Sequence, residues 1–310
     1  MDLSLLLGQQ IIVIAVMIVM GFVAGKAKLV DMETSAQLAK AVLYIIAPCM
    51  LIDAFQIEFS KEKVYGFLLS LVAAALIHVV LILVAKLVCK AFSLKVIAEA
   101  SIIYTNCGNL LVPIVGYMLG KEYVLYCSSY IIVQNILVWS YGIRMISGEK
   151  KWNIKKIVLN PNMIAIAVGL IMFFGNITLP SFLGSAVSRV GDCVGPASMI
   201  VIGIVISTAS LKEVFLDKQT WLVTIARLFL CPMVYILLLK LCHISMISPD
   251  AKNILFVSFL AVATPSASTV SQLANIMHKE EILAGSINIM TICLCMATMP
   301  LMTLLYQLLV

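Results

Sequence analysis

Residues 101–120 read SIIYTNCGNLLVPIVGYMLG, and residues 262–274 read VATPSASTVSQLA. Both are apolar, helix-forming runs interrupted by residues that a helix interior rejects. In the first, Pro113 has no N–H, and its ring clashes with the carbonyl four residues back, that of Asn109. Gly108 costs about 1 kcal/mol against Ala inside a helix and opens backbone conformations closed to other residues. Asn106 and Asn109 flank it, and asparagine caps a helix that restarts. In the second run, Thr264-Pro265-Ser266-Ala267-Ser268-Thr269 sets one proline ahead of hydroxyls placed to cap a new helix. Freed backbone groups cannot be left in hydrocarbon, so each stretch must line a protein-enclosed or watered cavity.

Hydrocarbon is the right surrounding to consider. The chain of 310 residues is 63% hydrophobic and 12% charged, with a mean hydropathy of +1.11. Soluble domains run at roughly 45–50% apolar and about 25% charged. Apolar runs long enough for a bilayer core of about 30 Å recur along the whole chain. This excludes a soluble enzyme, a secreted disulfide scaffold and a nucleic-acid-binding domain. The reading is an all-α polytopic membrane protein with ten helices, at about 5–25, 34–56, 64–90, 97–119, 123–146, 162–176, 181–209, 220–243, 253–277 and 282–308. The longest polar connector, within 147–161, divides the chain into a first five-helix repeat (1–146) and a second (162–310).

The net charge of +6 follows the loops. Thirteen Lys and Arg lie in loops after odd-numbered helices and five in loops after even-numbered ones, so the odd loops are expected to be cytoplasmic and both termini outside. The location this implies is the cell (plasma or inner) membrane. The N-terminus MDLSLLLGQQ carries no Lys or Arg ahead of its apolar run, so the first helix is expected to remain in the mature protein. Nine cysteines lie mostly in apolar runs without a CxxC pair and read as reduced, buried thiols.

Five helices per half means that the halves enter the membrane from opposite sides, so any repeat is inverted. The irregular positions support one. Pro48 and Pro196 are 148 residues apart, Pro113 and Pro265 152. Matching interruptions in corresponding helices of two halves point to a transporter site. In an inverted pair, helices four and nine run antiparallel and can cross at their breaks. Each break leaves a helix N-terminus with roughly half a positive charge at the crossing, suited to a carboxylate.

Five segments carry a resemblance: 101–120 above, VQNILVWSYG (133–142), NPNMIAIAVGLI (160–171), ARLFLCP (226–232) and 262–274. Together they resemble the auxin efflux carrier family, which includes plant auxin exporters and bacterial malate permeases. The resemblance covers nearly the whole chain. It implies a ten-helix inverted-repeat fold with crossover helices four and nine, and carriage of organic acid anions by an elevator-type motion. By position, Asn109 and Pro113 match the fourth-helix crossover and Pro265 the ninth. The plant exporters have a long loop between helices five and six; here it is about fifteen residues, which places this chain with the short-loop, malate-permease-like members.

Ionisable groups inside spans are expensive and point to function. Arg227, near the start of the eighth helix, can attract a carboxylate or snorkel to the interface. Asp53, after Pro48, is the candidate for proton coupling, or else marks the outer end of its helix. Asp192 is expected to pair with Arg189, three residues before it. His78 reads as a packed, hydrogen-bonded residue. Asn135 (beside Gln134) and Asn288 are mid-span amides at corresponding places in the halves, able to serve the site or to bond neighbouring helices. The expected substrate ligands are Asn106, Asn109, Pro113, Pro265, Ser266, Ser268, Asn135, Asn288 and Arg227. No HExxH, G-x-S-x-G or Walker A pattern occurs, and the histidines (78, 243, 278) are far apart, so no catalytic set, metal site or cofactor is expected. The function expected is secondary transport of a small, malate-like organic anion, with a proton as coupling ion and a homodimer left open. The alternative is a cation–proton antiporter or a sodium-coupled symporter on the same architecture.

Overall fold

The computed structural model describes residues 3–148, 155, 158–208, 210–242 and 251–310. His243, Lys150, Lys151 and Lys156 lie outside the described residues, as does most of the expected linker. All regular structure among the described residues is helical. In chain order the helices are α1 (Leu3–Lys26), α2 (Glu33–Ala54), α3 (Lys61–Phe92), α4 (Val96–Ile103), α5 (Cys107–Met118), α6 (Val124–Ser147), α7 (Pro161–Phe174), α8 (Ser181–Thr208), α9 (Leu211–Leu216), α10 (Lys218–Leu241), α11 (Ala251–Ala263), α12 (Ser268–Met277) and α13 (Glu281–Leu309). Six of them, α2, α3, α6, α8, α10 and α13, are long and apolar enough to cross a membrane. Shorter apolar helices lie at Ile12–Lys26, α5, α7 and α11. This is a polytopic membrane protein.

Three helix starts are capped by side chains. Asp31 accepts the Thr34 N–H at 2.8 Å, a bond that holds its carboxyl below the usual range. Asn160 accepts from Asn162 at 2.9 Å ahead of Pro161, whose missing N–H costs nothing at a first position. Asp217 takes the Thr220 N–H at 2.7 Å.

Three of the prolines inside helices do not break them, whereas α8 is interrupted at 192–193, ahead of Pro196. Pro48, Pro113 and Pro232 each sit two residues after a π-helical turn, at Val42–Ile46, Cys107–Leu111 and Ala226–Leu230. The wider turn moves the carbonyl that a proline ring would strike, so the helix continues past it. The fourth expected helix is therefore not interrupted at Pro113. Its break is at 104–106, where Tyr104 is extended (φ −90°, ψ 135°), and the chain is helical again from Cys107.

The chain forms two compact units. Unit 1 comprises Met1–Tyr65, Gly108–Ser128 and Val158–Ser210; unit 2 comprises Gly66–Cys107, Ser129–Ile157 and Leu211–Val310. In unit 1, α1 lies along α8 at a separation set by small residues. A Cβ on Gly21 would meet the Ile200 carbonyl, one on Gly25 the Ser207 hydroxyl, and one on Gly203 the Ile18 carbonyl. Gly21-x₃-Gly25 facing Gly203-x₃-Ser207 is the small-residue seam by which membrane helices approach closely. The α2 end packs on α7 and on the first half of α8, where Gly169 gives way to the Phe55 ring and Gly191 to Met50.

In unit 2, α3 turns one face inward: Phe67, Ser70, Ala74, Ile77, His78, Leu81 and Ala85 are buried. Leu68, Val72, Leu76, Val79, Leu83 and Leu87 are exposed. An apolar exposed face is the normal surface towards lipid. His78 is wholly buried, donates its Nδ1–H to Ala74 O at 2.7 Å and packs its ring 4.6 Å from that of Tyr130. Helix α11 is buried along Ile254–Ala263 and forms the centre of this unit.

Candidate functional site

Unit 2 brings two helix breaks together. Between α4 and α5 the chain is extended at Tyr104-Thr105-Asn106; between α11 and α12 it is non-helical at Thr264-Pro265-Ser266-Ala267. Thr105 and Ser266 face each other as one antiparallel bridge. Asn106 N–H donates to Pro265 O at 2.9 Å, and Ala267 N–H donates to Tyr104 O at 3.0 Å. Each break thereby satisfies backbone groups that the other leaves open, as a water-poor surrounding demands.

The second helix after each break supplies a side chain to a residue inside it. From α6, Gln134 accepts both the N–H (2.8 Å) and the hydroxyl (3.0 Å) of Thr105 on Oε1. Its Nε2–H donates to Thr105 O at 2.7 Å. From α13, Thr291 accepts the Ser266 N–H at 3.3 Å while its own hydroxyl donates to Ile287 O at 2.7 Å. The sequence singled out Asn135 and Asn288 on these two helices. The structure gives the contact to Gln134, one residue earlier, and to Thr291, three residues later. Asn288 instead donates to the Ser271 hydroxyl at 3.3 Å. Asn135 is half-buried, and its Nδ2 has no partner among the described residues.

Arg227 lies in the π turn of α10 and is fully buried (0% exposed). Its Nε–H donates to Thr264 O at 3.1 Å and Nη1 to Ile102 O at 3.0 Å, while Nη2 bonds Val262 O. It does not snorkel to an interface. Its donors are directed at the carboxyl ends of α4 and α11. Asn106 is 4% exposed, and its Nδ2 has no partner among the described residues. Ser268 opens α12.

Of the residues expected at the site, Asn106, Pro265, Ser266, Ser268, Asn135, Asn288 and Arg227 belong to unit 2, and Asn109, Pro113 and Asp53 to unit 1. Within unit 1 those three line one cavity of about 400 Å³. The cavity walls are otherwise mostly apolar, from α1, α2, α5 and α8, and include Asp192 at the bend of α8. The sequence weighs Asp192 as a coupling carboxylate or as a partner of Arg189 and favours the pairing; the structure places it on the same cavity as Asp53. No group of three or more His, Cys, Asp or Glu able to hold a metal occurs among the described residues.

Two stretches of the chain, residues 7–154 and 150–303, match the family model described as membrane transport protein. The chain belongs to this family. It is the auxin efflux carrier family that the motifs resemble, and its members are transporters. No curated protein matches the chain.

Proposed function

We propose that this membrane transport protein is a secondary transporter for small organic acid anions, with malate-like carboxylates as the leading class. The observation that carries the reading is the mutual pairing of two helix breaks through Thr105 and Ser266 in a chain of this family. A break leaves backbone donors and a positive helix end where a straight helix leaves none, and those attract carboxylates. In this reading the anion meets Asn106, Ser266 and the first turn of α12 at Ser268. The cavity of unit 1, lined by Asp53, Asn109 and Asp192, handles the proton, which is the coupling ion.

The proposed layout is ten membrane helices in two inverted five-helix repeats (1–146 and 162–310), in a cell membrane, with both termini outside. Six long spans and four shorter apolar helices are the number this layout needs. Elevator-type transport requires one body to carry the substrate, and the division of the chain into two compact units supports it. The second unit gathers most of the helices expected in the carrying bundle (three to five and eight to ten). The exception is the stretch from Gly108, which groups with unit 1 because α5 packs on α1 and α8.

One observation favours a second reading, cation–proton antiport: two carboxylates, Asp53 and Asp192, line one cavity. Uptake of labelled malate by proteoliposomes, with and without an imposed pH gradient, separates the two. Organic-anion transport predicts saturable, gradient-dependent uptake, competed by other carboxylates and lost in Asn106→Ala and in Asn109→Ala. Sodium- or lithium-dependent proton movement without malate uptake would overturn the substrate class.

A further inference from the structure

We propose that Arg227 is the positioning residue of the paired breaks, the counter-charge to the carboxyl ends of both broken helices, and not a ligand of the transported anion. The second half of this statement rests on the transport reading above; the first does not.

The last four carbonyls of any helix lack partners within it. Here two such ends lie side by side in the buried centre of unit 2. Ile102 lies in the last turn of α4, Ala261 and Val262 lie in the last turn of α11, and Thr264 is the first residue beyond it. Arg227 reaches all of them: Nη1 to Ile102 O at 3.0 Å, Nε to Thr264 O at 3.1 Å, and Nη2 to Val262 O and, at 3.5 Å, Ala261 O. The electrostatics agree with the geometry. Each helix end carries roughly half a negative charge, so two ends balance one guanidinium. An anion entering this site would have to displace those carbonyls from a side chain that is 0% exposed.

The side chain must be arginine for this. Its planar fork presents five donors in fixed directions, whereas a lysine ammonium is a compact point on a flexible stem. Neutralising the carboxyl ends also leaves the amino ends of the helices that restart at Cys107 and Ser268 uncompensated beside the breaks. A positive end suits a carboxylate, and Arg227 is thus a condition for the anion site without touching the anion.

Hydrogen exchange on the purified protein without substrate tests the clasp in wild type, Arg227→Gln and Arg227→Lys. In Arg227→Gln the segments around 100–107 and 260–268 are expected to exchange about tenfold faster or more, the loss of charge-assisted bonds to both helix ends. The α1–α8 pair of unit 1 is expected to keep its protection. If the glutamine variant does not fold, Arg227→Lys serves, with faster exchange expected at one break and protection kept at the other. Wild-type protection at both breaks in either variant would overturn the clasp. A second arm compares binding of a mono- and a dicarboxylate of similar size: equal fold losses for both are expected, and a larger loss for the dicarboxylate would make Arg227 a direct ligand and overturn the proposal. Absence of carboxylate binding to the wild type would count against the transport reading alone, since the exchange arm uses no substrate.

Discussion

The two helix breaks have nearly the same geometry and different sequences. The break between α11 and α12 holds its proline, Pro265, inside the interruption. The break between α4 and α5 holds none: Pro113 lies eight residues beyond Thr105, in a helix that absorbs it with a π turn. Proline therefore does not make the break. What the two share is a set of ties from other helices: a side chain from the second helix after the break on a residue inside it, two backbone bonds to the opposite break, and Arg227 on the preceding helix end. The units differ in a parallel way. Unit 1 is joined by close backbone approach at glycines, and unit 2 by polar side chains in its centre.

This contrast can be broken most severely in unit 1. Gly203→Leu drives a branched side chain into the backbone of α1 at Ile18, where no rotamer gives relief. Overpacking of this kind is expected to cost about 3 kcal/mol or more and to abolish recovery of monodisperse protein in detergent. A folded Gly203→Leu protein with unchanged Tm would mean that the seam is not as close as described.

Next in size is Gln134→Leu. It leaves the N–H, hydroxyl and carbonyl of Thr105 without their partner, at about 3 kcal/mol in total. The lowered Tm should be accompanied by loss of transport. Thr291→Val is the matched change at the other break and removes one longer bond, so about 1 kcal/mol is expected. A Thr291→Val penalty equal to that of Gln134→Leu would show the two breaks to be held equally. The smallest effect is expected for Pro265→Ala. The ties persist, the interruption remains at 264–267, and the change costs about 0.4–1 kcal/mol through the freer unfolded chain. A continuous α11–α12 helix in that variant would return the break to proline.

Much of this was legible in the residues. The apolar runs fall within a few residues of the helices, and the Thr264–Ser268 stretch is interrupted where its proline and hydroxyls indicated. That Asn106, Pro265 and Ser266 come together also followed from reading two broken helices as a crossing pair. The seam Gly21-x₃-Gly25 is present in the sequence as a small-residue pattern. Other features had no such signal. Gln134 and Asn135 are adjacent amides about 100° apart around one helix, and only the packing of α6 decides which meets Thr105. Pro113 looked like the break because a proline in an α-helix clashes, yet a π turn removes the clash at the same residue. Arg227 read equally as a ligand or an interfacial cation because its partners are carbonyls 34 to 125 residues away in the chain.

The sequence by itself determined the solvent and the elements. A chain that is 63% hydrophobic must pair its backbone polar groups within helices, whatever the details of its packing. Only the tertiary structure decided which face of each helix turns inward, that Asp53 and Asp192 share a cavity, and that Arg227 closes two helix ends at once. The reason is that lipid is as apolar as the side chains it meets. Hydropathy around a membrane helix then carries no inside and outside, so the facing of each residue is set by close fit and hydrogen bonds between segments distant in sequence.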